Sequence, residues 1–207
     1  MPEVSSAKRS AVAPDFDVVI VGGGLAGLYS IYRFRKMGLN IRAYEAGDGV
    51  GGTWFWNRYP GCRCDVESME YSYSFDDDLQ QEWVWPERYG TQPVILEYIN
   101  HVAKRFDLMR DVQLNTRITQ AVFCEKKHLW TITTNNGEQI TAPICIMAAG
   151  NLSTPRKPDF PGLDNFKGDW IKIRLPLKII PTKIIFSSIN LDINEINKLP
   201  RKYRLYG

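Results

Sequence analysis

Three glycines stand at Gly22, Gly24 and Gly27, and a carboxylate, Glu45, follows eighteen residues after the last of them. Glycines at this spacing bring a backbone close to a phosphate group. Gly22 permits a tight turn, Gly24 lets a pyrophosphate reach the main chain, and Gly27 lets a helix pack on the preceding strand. The helix start then turns its free N–H groups towards the phosphates. A carboxylate at Glu45 accepts hydrogen bonds from ribose hydroxyls and repels a 2′-phosphate, which favours FAD or NAD over NADP at this place. A glycine triplet alone is a weak signal, and the elements around it decide.

Those elements are legible. Asp17 to Val21 is a short β-branched run that reads as a strand and leads straight into the glycines. Leu28, Ile31, Tyr32 and Phe34 then recur at helical spacing, and Gly38 is a suitable helix terminator. Asn40 to Glu45 reads as a second strand, which completes a βαβ-sized unit and sets Glu45 at a strand end. Residues 46–90, rich in Gly, Trp, Tyr and Asp, read as irregular and functional rather than as filler. Ile95, Leu96, Ile99, Val102 and Phe106 mark an amphipathic helix over 92–106. Strands are expected at 111–114, 118–123, 130–133 and 139–141, with Asn136-Gly137 as a hairpin turn, and an apolar strand runs from Ile144 to Gly150. The expected fold is α/β: a Rossmann-like FAD/NAD(P)-binding domain with a parallel sheet, flanking helices and a β-meander.

Composition narrows the class. The 207 residues are 44% hydrophobic and 24% charged, enough apolar content for a packed core. The net charge of +3 is unevenly placed. Residues 1–170 carry 18 Lys/Arg against 21 Asp/Glu, whereas residues 171–207 carry 8 against 2, so the basic character belongs to the last segment and no nucleic-acid partner is inferred. Cys62, Cys64, Cys124 and Cys145 lack zinc-site spacing and read as reduced structural thiols, with no metal expected. Residues 1–14 form a polar tail without the apolar stretch of a signal peptide, and no run is long enough to span a bilayer. A soluble cytoplasmic protein is the expectation.

The most specific pattern lies between Gly51 and Asp65. Gly51-Gly52-Thr53-Trp54 is followed after four residues by Tyr59-Pro60-Gly61, and after three more by Asp65. This resembles the fingerprint of Baeyer–Villiger monooxygenases, and every fixed position of it is present. Glu67 to Phe75 is similar to the family's next segment, and Ala149 to Ser153 with Pro155, Pro158 and Pro161-Gly162 is similar to the end of its first FAD segment. The resemblance covers residues 15 to 170. It implies an FAD- and NADPH-dependent enzyme that uses O2 to insert oxygen next to a ketone carbonyl, giving an ester or lactone. By position, Gly22, Gly24, Leu25, Ala26 and Gly27 would hold the FAD pyrophosphate, and Glu45 the adenosine ribose. Gly52, Thr53, Trp54, Phe55 and Trp56 would line the FAD. Asp65 and Tyr71 would sit by the isoalloxazine ring, and the backbone of Ile118 would contact adenine. Arg63, Cys64 and Asp65 would face the nicotinamide side, with Asp65 the catalytic partner of an Arg in a later domain. N- or S-oxygenating flavin monooxygenases share the glycine motif and are the neighbouring alternative, and a non-catalytic flavin-fold remnant is the alternative of another class.

The family's second fingerprint begins as Phe166-x-Gly168, but Lys172 stands at its His position and Pro176 at its Trp position. Composition changes at the same place: nine isoleucines, no Ala and no Gly before Gly207. Two coincident breaks point to a shifted reading frame or foreign sequence in place of the NADP-binding domain. The expected organisation is a flexible tail at 1–14, an FAD-binding domain at 15–170 and an atypical Ile/Lys-rich tail at 171–207. A chain so arranged is expected to be truncated, to bind FAD weakly or not at all, and to show little monooxygenase activity.

Overall fold

In the computed structural model of the chain, residues 13–152, 161, 162 and 165 are described. Residues 1–12 of the expected 1–14 tail, the expected tail at 171–207 and the broken second fingerprint lie outside them. The sheet starts from β1 (Val18–Val21), whose β-branched residues suit a buried parallel strand. It pairs in parallel with β2 (Ile41–Tyr44) on one side and β7 (Ile144–Met147) on the other, and β2 pairs with the two-residue β3 (Val112–Gln113). The order β3-β2-β1-β7 sets the C-terminal ends of all four strands along one edge.

Alternation along β1 distributes the core. Val18 and Ile20 face helices α1 (Leu25–Lys36) and α4 (Gln92–Arg105). Val19 faces the other way, onto Tyr44, Ile132, Ile140 and Ala142. Each fully buried Ile, Leu or Val here contributes about 1.5–3 kcal/mol relative to exposure. The second layer is an antiparallel meander of β4 (Ile118–Cys124), β5 (Leu129–Thr134) and β6 (Gln139–Ala142). Its β5–β6 connection is the Asn136-Gly137 hairpin, closed by the Gly137 N–H on the Thr134 carbonyl at 3.1 Å with Gly137 at φ +87°. Asn136 keeps a negative φ, so the loop is a three-residue turn ending in a left-handed glycine rather than a two-residue one.

α1 stops where expected. The Leu39 N–H reaches back to the Phe34 carbonyl and the Gly38 N–H to that of Arg35, a six-to-one and five-to-two pair that closes the last turn. In α4, Ile95, Ile99 and Val102 are fully buried and Tyr98 nearly so, one face of a 3.6-residue repeat. The side chain of Arg35 ties the two helices together. It donates to the carbonyls of Phe106 and Asp107, both at 2.9 Å, and to the Asp111 carboxylate.

Residues 46–90, read as irregular, contain three short helical pieces: α2 (Thr53–Trp56), a 3₁₀ turn at Ser68–Tyr71 and α3 (Asp77–Glu82). They span four to six residues, too short for a periodic signal, so tertiary contacts define them. α3 alone of these carries a local cap, the Asp76 carboxylate accepting the Leu79 N–H at 2.8 Å.

Candidate functional site

The edge formed by the strand ends opens on a cavity of about 670 Å³. Its floor is the turn from β1 into α1. Gly22 adopts φ +109°, and a Cβ there would stand 2.5 Å from the Ala148 carbonyl oxygen. A Cβ on Gly27 would stand 2.0 Å from the Gly22 oxygen, so only glycine lets the first turn of α1 close over the strand. Gly27 is buried beneath the turn, whereas Gly22, Gly24, Leu25 and Ala26 line the cavity. α1 begins at Gly24 with no side-chain cap and no acidic residue in its first turn. Its first N–H groups therefore keep their partial positive charge, directed at the cavity.

Glu45 fastens this turn. Its side chain is 5% exposed, and it accepts the Gly23 N–H at 2.6 Å with one oxygen and the Gly47 N–H at 2.8 Å with the other. An ionised carboxylate offers about four acceptor sites, so two remain for a ligand in the cavity it lines. The backbone of Glu45 is bonded on both sides, its N–H to Gln113 and its carbonyl to the Thr116 N–H, both at 2.9 Å. Thr116, Arg117 and Ile118 thus join the same wall.

The opposite wall comes from the fingerprint segment. Gly52 and Gly24 approach back to back, with a Gly52 Cβ only 3.0 Å from the Gly24 Cα. From there α2 sets Thr53, Trp54 and Trp56 on the cavity. Phe55 turns the other way. It is buried against Gly47 and Gly49, with the Arg58 guanidinium 4.3 Å from its ring centroid. Gln92, at the start of α4, donates to the Trp54 carbonyl. Tyr71 meets the Trp54 ring edge-on at 5.4 Å and also lines the cavity. Burial pushes its phenol pKa up, which keeps it protonated.

Arg63, Cys64 and Asp65 are not brought to this cavity. The chain from Cys62 to Ser68 is laced to residues 88–92 by main-chain bonds from Cys64 to Gly90, Ser68 to Arg88 and Gln92 to Cys62. Arg63 pairs with Glu87 and donates to the Tyr89 carbonyl at 2.6 Å. Cys64 is buried in the core with its thiol on the Val66 carbonyl, and Asp65 is exposed. Cys62 is buried as well, and burial raises its thiol pKa, which suits an inert structural cysteine. Sequence reasoning missed Thr116, Arg117 and Tyr73. The Tyr73 hydroxyl donates to the Leu25 carbonyl at 2.6 Å and steadies the first turn of α1. A position just past a parallel strand's C-terminal end was the available signal for Thr116 and Arg117.

Comparison with known proteins places this geometry. A family profile described as an NAD(P)-binding Rossmann-like domain matches residues 20–80. A Baeyer–Villiger monooxygenase of Pseudooceanicola batsensis is 44% identical over 166 residues, which are 80% of this chain and 30% of that protein. Over about 75–80% of its length the chain is homologous to Baeyer–Villiger monooxygenases, at 35–46% identity. Among their relatives, the phenazine N-monooxygenase of Lysobacter antibioticus is 46% identical over 75% of this chain and 29% of its own length. The structure of OTEMO in complex with FAD and NADP superposes with a TM-score of 0.70 at 41% identity, over 76% of this chain and 30% of that one. The Baeyer–Villiger resemblance and the Rossmann-like α/β fold are therefore established, and the chain spans about 30% of the length of the curated relatives it matches. Among the described residues, no helix is long and apolar enough to cross a membrane.

Proposed function

We propose that these residues form the FAD-binding part of an NADPH- and O2-using monooxygenase that inserts oxygen beside a ketone carbonyl. The observation that carries the reading is one cavity lined by two chemically distinct groups: the uncapped, acid-free start of α1 and the clamped carboxylate of Glu45. A dinucleotide needs both, an anion site for its pyrophosphate and an acceptor for its ribose. FAD fits this cradle, and when bound it supplies the redox and oxygen-activating chemistry.

The chain's own residues bind and orient it. The N–H groups between Gly22 and Gly27 hold the pyrophosphate, with Gly24, Leu25 and Ala26 nearest. Glu45 takes the ribose hydroxyls, and the Ile118 backbone reads adenine. Gly52, Thr53, Trp54 and Trp56 wall the cofactor, Phe55 supports that wall from behind, and Tyr71 stands towards the isoalloxazine end. Arg63, Cys64 and Asp65 meet the nicotinamide side, where Asp65 would hold a catalytic arginine from another part of an intact enzyme. Residues 15–170 are the FAD-binding domain in this reading, and the enzyme acts on small ketones in the cytoplasm. Oxygenation at nitrogen is the second reading, consistent with the 46% identity to the phenazine N-monooxygenase.

Equilibrium titration of FAD fluorescence with the purified chain tests the binding part. Weak but saturable quenching that ADP reverses is expected. Quenching that does not saturate would sink the reading. Assay of NADPH-dependent product formation from a ketone and from an aromatic N-heterocycle then separates carbon from nitrogen oxygenation.

A further inference from the structure

The cavity wall holds one acidic residue, Glu45, and one basic residue, Arg117. The two are close in the fold, since the Thr116 N–H is bonded to the Glu45 carbonyl. The main chain of Arg117 is held firmly. Its N–H donates to the Asn135 Oδ1 at 3.0 Å, and its carbonyl accepts the Asn135 N–H at 2.8 Å. Its side chain is treated differently. It is exposed, and among the described residues its guanidinium has no hydrogen-bond or ion-pair partner. The other cations near the site are engaged: Arg58 over the Phe55 ring and on its carbonyl, Arg63 on Glu87.

The covalent order of a flavin dinucleotide gives this free cation a role. Pyrophosphate at the α1 start and ribose at Glu45 leave adenine as the next group along, on the side of Thr116 to Ile118. We infer that the Arg117 guanidinium lies flat on the adenine ring of the bound dinucleotide and acts as a positioning residue for it; this rests on the FAD-binding reading above. A planar, weakly hydrated guanidinium stacks on an aromatic face, whereas a lysine ammonium is a compact, strongly hydrated point charge. Arg117 makes no contact with the reacting end of the cofactor, so its contribution is to affinity and to selection for adenine.

The test titrates wild type, Arg117→Ala and Arg117→Lys with FAD and with FMN, which lacks adenine. Wild type should bind FAD. Arg117→Ala should weaken FAD binding about tenfold and leave FMN binding unchanged. Arg117→Lys should recover little of the loss. An unchanged FAD affinity in Arg117→Ala overturns the inference and leaves the FAD reading standing. Full recovery by Arg117→Lys, or an equal loss for FMN, overturns it too, because the cation would then be serving a phosphate. A wild-type chain that binds neither flavin overturns the reading and the inference together. Thermal unfolding of both variants within about 1 °C of wild type, as expected for an exposed side chain, confirms that the comparison is between folded proteins.

Discussion

Two stretches of this chain carry motif residues, and the fold treats them in opposite ways. The first, Gly22 to Gly27 with Glu45, closes on itself: turn, helix start and carboxylate converge on one cavity through contacts that lie within the described residues. The second, Arg63 to Asp65, closes the most specific sequence pattern, but it stands away from that cavity, laced to residues 88–92 with Asp65 exposed. The difference separates two kinds of motif. One builds its site from backbone geometry, where a single methyl group is intolerable. The other secures a main chain, buries Cys64 beneath it and presents Asp65 outward.

Substitutions should break this contrast unequally. Gly27→Ala has the largest expected effect, because its Cβ would overlap the backbone oxygen of Gly22, which has nowhere to move. It should cost about 3 kcal/mol or more and abolish FAD binding, read by thermal unfolding and flavin titration. Glu45→Gln comes next. An amide cannot accept both the Gly23 and Gly47 N–H groups, because its NH2 meets one of them as a second donor. A loss of about 1–3 kcal/mol in stability and at least about tenfold weaker FAD binding are expected. In the second stretch, Arg63→Met should cost about 1 kcal/mol by releasing the Tyr89 carbonyl and Glu87, with FAD affinity unchanged within about twofold. Asp65→Asn should be the mildest, within about 0.5 kcal/mol in stability and without effect on FAD binding. A tenfold loss of FAD affinity in Asp65→Asn would erase the distinction between the two regions.

Much of the first region was legible in the sequence, because its signals are local. β-branched residues followed by Gly22, Gly24 and Gly27 predict strand, turn and helix, and the repeat at Ile95, Ile99 and Val102 predicts α4. The hairpin at 129–142 follows from Asn136-Gly137, although only the backbone shows that its loop has three residues. What was not legible depends on distant partners. Thr53–Trp56 and Asp77–Glu82 are helices of four and six residues, too short for periodicity to reveal. Thr116 and Arg117 reach the cavity only because β3 pairs with β2 and brings their backbone beside Glu45. The sequence adjacency of Arg63, Cys64 and Asp65 to Trp54 likewise says nothing of the turn at Tyr59–Cys62 that carries them away, closed by the Cys62 N–H on the Tyr59 carbonyl at 3.1 Å.

The most direct measurement of the central claim is an equilibrium FAD titration of the purified chain beside its Gly27→Ala and Asp65→Asn variants. The account predicts weak but saturable binding by wild type and Asp65→Asn, and none by Gly27→Ala. Absence of saturable binding in wild type, or binding that survives Gly27→Ala, would contradict it.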